Sequence, residues 1–323
     1  MDLGSNSFHL LIAEREAGLI RIIERCSEKV QLGEGVGAAG VISAPAFERG
    51  LLCLQHFKTL MDQYPLQQYW ALGTNTFRVT ANAHEFLESA RKIGLNISII
   101  SGVQEAVLIY AGVITALPLS DSHRLVIDIG GGSTEVIVGR KHARLLTESL
   151  AIGSVAWRDR FFNNGPASAT ELEQQMGAAV TAAQQVFDGF SPAIKKLGWS
   201  ESYASSGTIK MLAAICESEG RAAGQISLHA LRGLKTQLST CIARGTDVPA
   251  IKERRRDLLL PGWSVLVGLM QSYGIEKINF SATALREGML DFMMKNGRGL
   301  ICTSITLDRA KKLGFAETNP ISD

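Results

Sequence analysis

The chain has 323 residues, 46% hydrophobic and 20% charged, which is enough for two globular domains with cores of their own. A net charge of +2, with only the short run Lys252 to Arg256 clustered, argues against a nucleic-acid surface. Five scattered cysteines, none spaced C-x-x-C, argue against a disulfide framework or a zinc knuckle and fit a reducing, cytoplasmic setting, and no H-E-x-x-H points to a catalytic zinc. No basic leader precedes Asp2 and no uncharged apolar stretch is long enough to cross a bilayer, so neither export nor membrane attachment is expected.

In chain order, Met1 to Ala13 opens with an acid, Asp2, then the turn Gly4-Ser5-Asn6-Ser7 and an apolar strand. Segments 18–24 and 28–32 read as further strands, and the glycine-rich 33–40 as a surface loop. Ser43 caps a helix whose Phe47, Leu51, Leu54, Phe57 and Met61 recur at helical spacing. A strand over 68–73 is followed by Thr74-Asn75-Thr76-Phe77-Arg78 entering a helix. Beyond a strand end, Arg78 suits either an anion contact or plain surface. Asn82 with Glu85 predicts a capping box. After a strand over 96–101, Glu105 stands in the first turn of a helix. There it serves either the helix dipole or a cleft.

Pro118 to Asp121 breaks that helix and predicts a boundary between domains over 1–118 and 119–297. Leu125 to Val138 then reads as strand, tight turn, strand, with Asp128 at the mouth of Gly130-Gly131-Gly132-Ser133. Exposed N–H groups of such a turn cradle an anion, and a carboxylate oxygen beside it suits Mg²⁺. The opening hairpin aligns on this one without a gap, Asp2 on Asp128, Gly4 on Gly130 and Ser7 on Ser133. Two like hairpins, each opening a half of the chain, predict two like domains facing across a cleft.

Further on, helices are expected over 154–162 and from Thr170 with Glu173 closing a capping box. Ser206-Gly207-Thr208 lies between a strand over 199–205 and a helix, a third anion-binding turn or a simple cap. Helices over 227–243 and 258–273, a strand over 276–280, a helix entered through Ser281 to Gly288 and a loose tail over 298–323 complete the reading.

Taken in order, MDLGSNSFHLLI, ALGTNTFRVTAN, IISGVQEAVLIYAGV, LVIDIGGGSTEV, SSGTIK and ALREGML resemble the exopolyphosphatase and guanosine pentaphosphate phosphohydrolase family. The resemblance implies an α/β fold of two duplicated ribonuclease-H-like domains, as in actin, sugar kinases and heat-shock chaperones, around a central cleft. It implies Mg²⁺ at Asp128, Glu135 and Asp2. Asn6, Ser7, Gly130, Gly131, Gly132, Ser133, Ser206, Gly207, Thr208 and Arg255 would bind phosphates, with Arg78 as a phosphate-binding arginine and Glu105 as general base. The activity implied is removal of the terminal phosphate of inorganic polyphosphate, with guanosine pentaphosphate as the alternative substrate. The composition leaves a homodimer open.

Three departures from the family pattern matter. Gln104-Glu105 stands where two acids are usual, the chain starts at the first acid, and the helical region of longer members is lacking. These are expected to alter tuning, to weaken the first strand or its metal affinity, and to lower processivity. A kinase of the same superfamily and a non-catalytic phosphate sensor are the competing classes.

Overall fold

The computed structural model describes residues 1–296 apart from 17–18, 164, 166, 249–250 and 252; the expected tail over 298–323 lies outside the described residues. The first half contains β1 (Asp2–Leu3), β2 (Ser7–Glu16), β3 (Leu19–Lys29), α1 (Val36–Ala39), α2 (Ala44–Met61), β4 (Leu72–Gly73), α3 (Asn75–Val79), α4 (Ala83–Lys92), β5 (Ser98–Ile99) and α5 (Gly102–Thr115). Its sheet runs β3-β2-β1-β4-β5. The first three strands form an antiparallel meander, and β4 and β5 follow parallel to β1.

The second half contains β6 (Arg124–Ile129), β7 (Thr134–Arg140), β8 (Ala143–Leu150), α6 (Ser154–Phe161), α7 (Ala169–Asp188), α8 (Ser191–Leu197), β9 (Glu201–Ser205), α9 (Gly207–Ser218), β10 (Gln225–Ser227), α10 (Leu228–Gly233), α11 (Lys235–Arg244), α12 (Leu259–Tyr273), β11 (Lys277–Phe280) and α13 (Leu285–Asn296). A 3-10 turn over Glu253–Leu258 precedes α12. Its sheet runs β8-β7-β6-β9-β11, with β10 added antiparallel at the edge. Meander and parallel continuation therefore recur, which is the duplicated ribonuclease-H-like architecture expected from the sequence. The pairing register repeats as well: Asp2 opposes His9 as Asp128 opposes Glu135.

Burial explains why the halves read so differently. The first sheet alternates, with Phe8, Leu10 and Ile12 of β2 directed onto Leu54, Phe57 and Met61 of α2, while Ser7, His9 and Leu11 between them are only partly buried. In the second sheet Leu125 to Ile127 and Val136 to Val138 are buried on both faces, so those strands are continuous apolar runs. Between the two sheets lies a third cluster, in which α5 crosses α13. Gly112 and Gly288 sit at the crossing. A Cβ at Gly112 would stand 1.9 Å from the Ala284 carbonyl oxygen, and one at Gly288 would stand 1.8 Å from that of Leu108. Only residues without a side chain let the backbones meet so closely.

Several local expectations need correction. Segments 18–24 and 28–32 are not separate strands, because β3 runs without a break from 19 to 29 against β2. Residues 68–73 and 96–101 contribute only the two-residue β4 and β5. Part of the glycine-rich loop winds into α1. Asn82 does not cap α4 through its side chain. Its amide instead pairs with both backbone groups of Ile42, at 2.8 and 3.0 Å. The capping box of α7 is formed by Ser168 and Glu171, two residues before the expected pair. Residues 227–243 are two helices, α10 and α11.

Candidate active site

The two hairpin turns are built alike. Gly4 N–H donates to the Ser7 carbonyl at 3.2 Å, and Gly130 N–H donates to that of Ser133 at 2.9 Å. They also pack against one another. A Cβ on Gly131 would stand 2.9 Å from Ser5 Cβ and 3.3 Å from Asn6 N, and one on Gly132 only 2.1 Å from Asn75 Oδ1. Glycine at both positions is what allows the second turn to sit under Ser5, Asn6 and Asn75. Asn6 donates to Ser7 Oγ at 3.2 Å, and its own Oδ1 is buried with no hydrogen bond among the described residues. An unmet acceptor in a cleft leaves room for a donor from a ligand or a bound water.

Arg78 and Glu105 approach the same place from two strand ends. Arg78 leaves the short α3 after β4, and Glu105 lies one turn into α5 after β5. Ser101 and Gln104 close the capping box of α5, so Glu105 is free of that duty. Arg78 Nη1 donates to Glu105 Oε2 at 2.8 Å and to the Ile100 carbonyl at 2.9 Å, and Nη2 reaches Ser133 Oγ at 3.5 Å. One arginine thus links the glutamate to the glycine turn across the two halves.

Four carboxylates share the cleft. Burial pushes Glu105 up to about 7, opposed by Arg78 and reinforced by Asp2 and Asp128. Asp128 is raised to about 6 by burial and by Asp2, against the hydrogen bond it accepts from Ser205 Oγ and the charge of Arg286. Asp2 moves up mainly through burial, with Arg286 pulling the other way. Glu135, 1% exposed, lies well above its usual range through burial and the charges of Glu105 and Asp128, although it accepts from Ser149 Oγ at 2.8 Å. Arg78 and Arg286 are the arginines that oppose these four carboxylates, so acids outnumber arginines in the cleft.

The third turn adjoins the second through the β6–β9 pair, in which Asp128 opposes Ser205. Ser206 has φ 116° and ψ 169°, a region that non-glycine residues rarely occupy, and its Oγ accepts from Ile209 N–H. Arg255, on the 3-10 turn, lies flat against Gly207: a Cβ there would be 1.9 Å from its Nη1. Beside it, Asp257 receives Lys29 Nζ at 3.0 Å and Arg158 Nη1 at 3.1 Å. Asp159 of α6 accepts from Gly35 N–H at 2.8 Å, so the chain after β3 is clamped to the second half.

A model of the Ppx/GppA phosphatase family matches residues 11–297. The chain belongs to that family. It is 35% identical over 298 residues to an exopolyphosphatase of Haemophilus influenzae, covering 92% of this chain and 91% of that one. It is 36% identical over 296 residues to a guanosine-5'-triphosphate,3'-diphosphate pyrophosphatase of Pseudoalteromonas translucida, of which it spans 58% against 91% of itself. The crystal structure of an exopolyphosphatase from Cytophaga hutchinsonii superposes with a TM-score of 0.82 at 27% identity, covering 93% of this chain and 98% of that one. As a Ppx/GppA protein the chain is a phosphoanhydride hydrolase, and a kinase or a purely sensing role is set aside.

The Ppx/GppA cleft suits a hard divalent cation. Buried carboxylates in excess over arginines, with an unmet Asn6 oxygen nearby, are an oxygen-only donor set of the kind Mg²⁺ takes. Asp2, Asp128 and Glu135 do not close into one compact shell. Among the described residues the only trio of such side chains with ligand atoms all within 4.8 Å of one another is Cys26, Glu28 and His56. One or two cleft carboxylates plus substrate oxygens and waters are what Mg²⁺ ordinarily accepts.

Sequence reasoning missed Arg286. It enters the cleft from the start of α13, and its Nη1 lies 3.4 Å from His9 Nδ1. Its signal was present, since ALREGML follows the strand end of β11 as Arg78 follows that of β4. Asn75 and Ser149 were also missed; a lone hydroxyl or amide carries no spacing that marks it.

Proposed function

We propose that the chain hydrolyses the terminal phosphate of inorganic polyphosphate, with Glu105 as the general base. The observation that carries this reading is the Arg78–Glu105 pair at 2.8 Å, held at two strand ends and tied by Arg78 to the Ser133 turn. Terminal phosphate oxygens would be received by the N–H groups of Gly130 to Ser133 and by Arg78. Ser206 to Thr208 with Arg255 offer a second anion contact further along the chain of phosphates. Glu105, whose affinity for a proton is raised by burial, takes one proton from a water as the water oxygen bonds to the terminal phosphorus. The anhydride bond on the opposite side breaks, and its electron pair leaves with the shortened polyphosphate. Mg²⁺, held by Asp128 with Glu135 or Asp2, would neutralise charge on the phosphates.

Guanosine pentaphosphate is the second reading, favoured by the Pseudoalteromonas relative's name. Phosphate release from both substrates in Mg²⁺ distinguishes the two. A higher kcat/KM on polyphosphate is expected. The reverse preference would move the assignment to the nucleotide, and release from neither would overturn the hydrolytic reading of this cleft.

A further inference from the structure

Outside the cleft, β3 and α2 bring together a set of metal-binding side chains. Cys26 and Glu28 are two apart on β3 and so share one face of the strand; Cys53 and His56 are three apart on α2 and share one face of the helix. The two faces meet. One ligand atom each from Cys26, Glu28 and His56 lie within 4.8 Å of one another. His56 Nδ1 is hydrogen-bonded to Glu28 Oε1. Cys53, 2% exposed, lies on the core side, where burial and the nearby Glu28 carboxylate push its thiol up.

From this geometry we propose that Cys26, Glu28 and His56 bind one Zn²⁺, with Cys53 packed beneath the site and the fourth position taken by water. Thiolate, imidazole and carboxylate are the donors Zn²⁺ takes, and a soft sulfur makes the site unsuited to Mg²⁺. Bond lengths of about 2.0–2.3 Å in a tetrahedron place ligand atoms about 3.3–3.8 Å apart, so His56 and Glu28, now hydrogen-bonded to each other, have to part slightly, and no pair in the trio has to close by more than about 1.5 Å. His56 has half its side chain in solvent and Glu28 a third, so both can make that adjustment and an ion can enter. Binding releases the Cys26 proton to solvent. β3 is the outer strand of its sheet, paired with β2 alone, and the ion would fasten this edge to α2. Its last residues lead to Val30 and Gln31, whose N–H groups both hold the Asn6 carbonyl. The spacing C-x-E on a strand with C-x-x-H on a helix matches no linear motif, so only the fold reveals it.

The test is a Co²⁺ titration of the whole protein in excess Mg²⁺, which occupies oxygen-only sites, with a phosphine reductant keeping cysteines as thiols. One equivalent should bind with a thiolate-to-cobalt charge-transfer band and be displaced by Zn²⁺. Cys26→Ser should abolish the band. His56→Gln, at a half-exposed position that leaves folding intact, should weaken affinity by about 100-fold or more, beyond the cost of losing a supporting group. A wild-type protein that takes up Co²⁺ without a thiolate band, or takes up none, overturns the proposal. So does a His56→Gln variant with unchanged affinity.

Discussion

Replacing Glu105 by Gln separates the proton-accepting role of this side chain from its packing. The amide oxygen can still accept from Arg78 Nη1, which now lies 2.8 Å from Oε2, and the side-chain volume is kept. What disappears is basicity in a carboxylate that burial holds near 7. A positioned general base contributes about 10²–10⁴-fold, or about 2.7–5.5 kcal/mol of transition-state stabilisation, and kcat should fall by that factor. KM should stay level or drop, since one of four negative charges is gone while the phosphate donors remain. The assay is initial-rate phosphate release over a range of polyphosphate concentrations in saturating Mg²⁺. Thermal denaturation without metal provides the control: above about pH 7 the variant should melt no lower than the wild type, because the buried charge it removes is a cost. Equal turnover in the two proteins would refute the general-base role, and a rise in KM at constant kcat would recast Glu105 as a binding group.

Arg286→Gln should lower kcat/KM about 10–100-fold, the worth of about 1.5–3 kcal/mol for a charged hydrogen bond, without raising the Mg²⁺ concentration needed for half-activity; an increased Mg²⁺ requirement would argue that Arg286 serves the metal. Gly288→Ala should destabilise the protein by about 1–3 kcal/mol or more, because its Cβ would stand 1.8 Å from the Leu108 carbonyl oxygen, and denaturant unfolding would register it. The raised carboxylates also dictate a pH dependence. Glu105 at about 7 and Asp128 at about 6 bind protons more tightly folded than unfolded, where values near 4.5 and 3.8 apply, so their contribution is fully present below about pH 4 and is lost as pH rises through 6 to 7. At about 1.4 kcal/mol per unit, Glu105 alone accounts for about 3 kcal/mol, which makes Mg²⁺ more stabilising at neutral than at acid pH. A Mg²⁺-induced shift in melting temperature that is the same at both ends would contradict this.

The glycine turns were legible because their chemistry is local. An acid, three glycines and a flanking apolar run have meaning within a dozen residues, and the unbroken alignment of Asp2 on Asp128 exposed the duplication before any coordinates. The expectation of two like domains followed from that duplication. What stayed hidden depends on contacts distant in sequence. Arg286 is aimed at Asp2 and Asp128 only because α13 returns to pack on α5, and Gly112 and Gly288 look like ordinary helix interruptions until the two helices cross. Caps were misassigned for a related reason. Asn82 had the right residue type for a helix start, but the backbone of Ile42, 40 residues earlier, claimed its amide.

The α5–α13 crossing also limits how the molecule can move. Two backbones pressed together at Gly112 and Gly288 can swivel over each other, whereas sliding would drive carbonyl oxygens into the facing chain. If the halves open, the crossing is the fulcrum. Arg286 is two residues from Gly288, about 3 Å along the helix axis, so it sits near the axle and keeps its place through the swing. Lys29 of the first half reaches Asp257 of the second at 3.0 Å, so opening would part that pair, whereas Arg158 and Asp257 would stay together within the second half. Opening would then release the mouth to substrate while the carboxylates beside Arg286 keep their counter-charge.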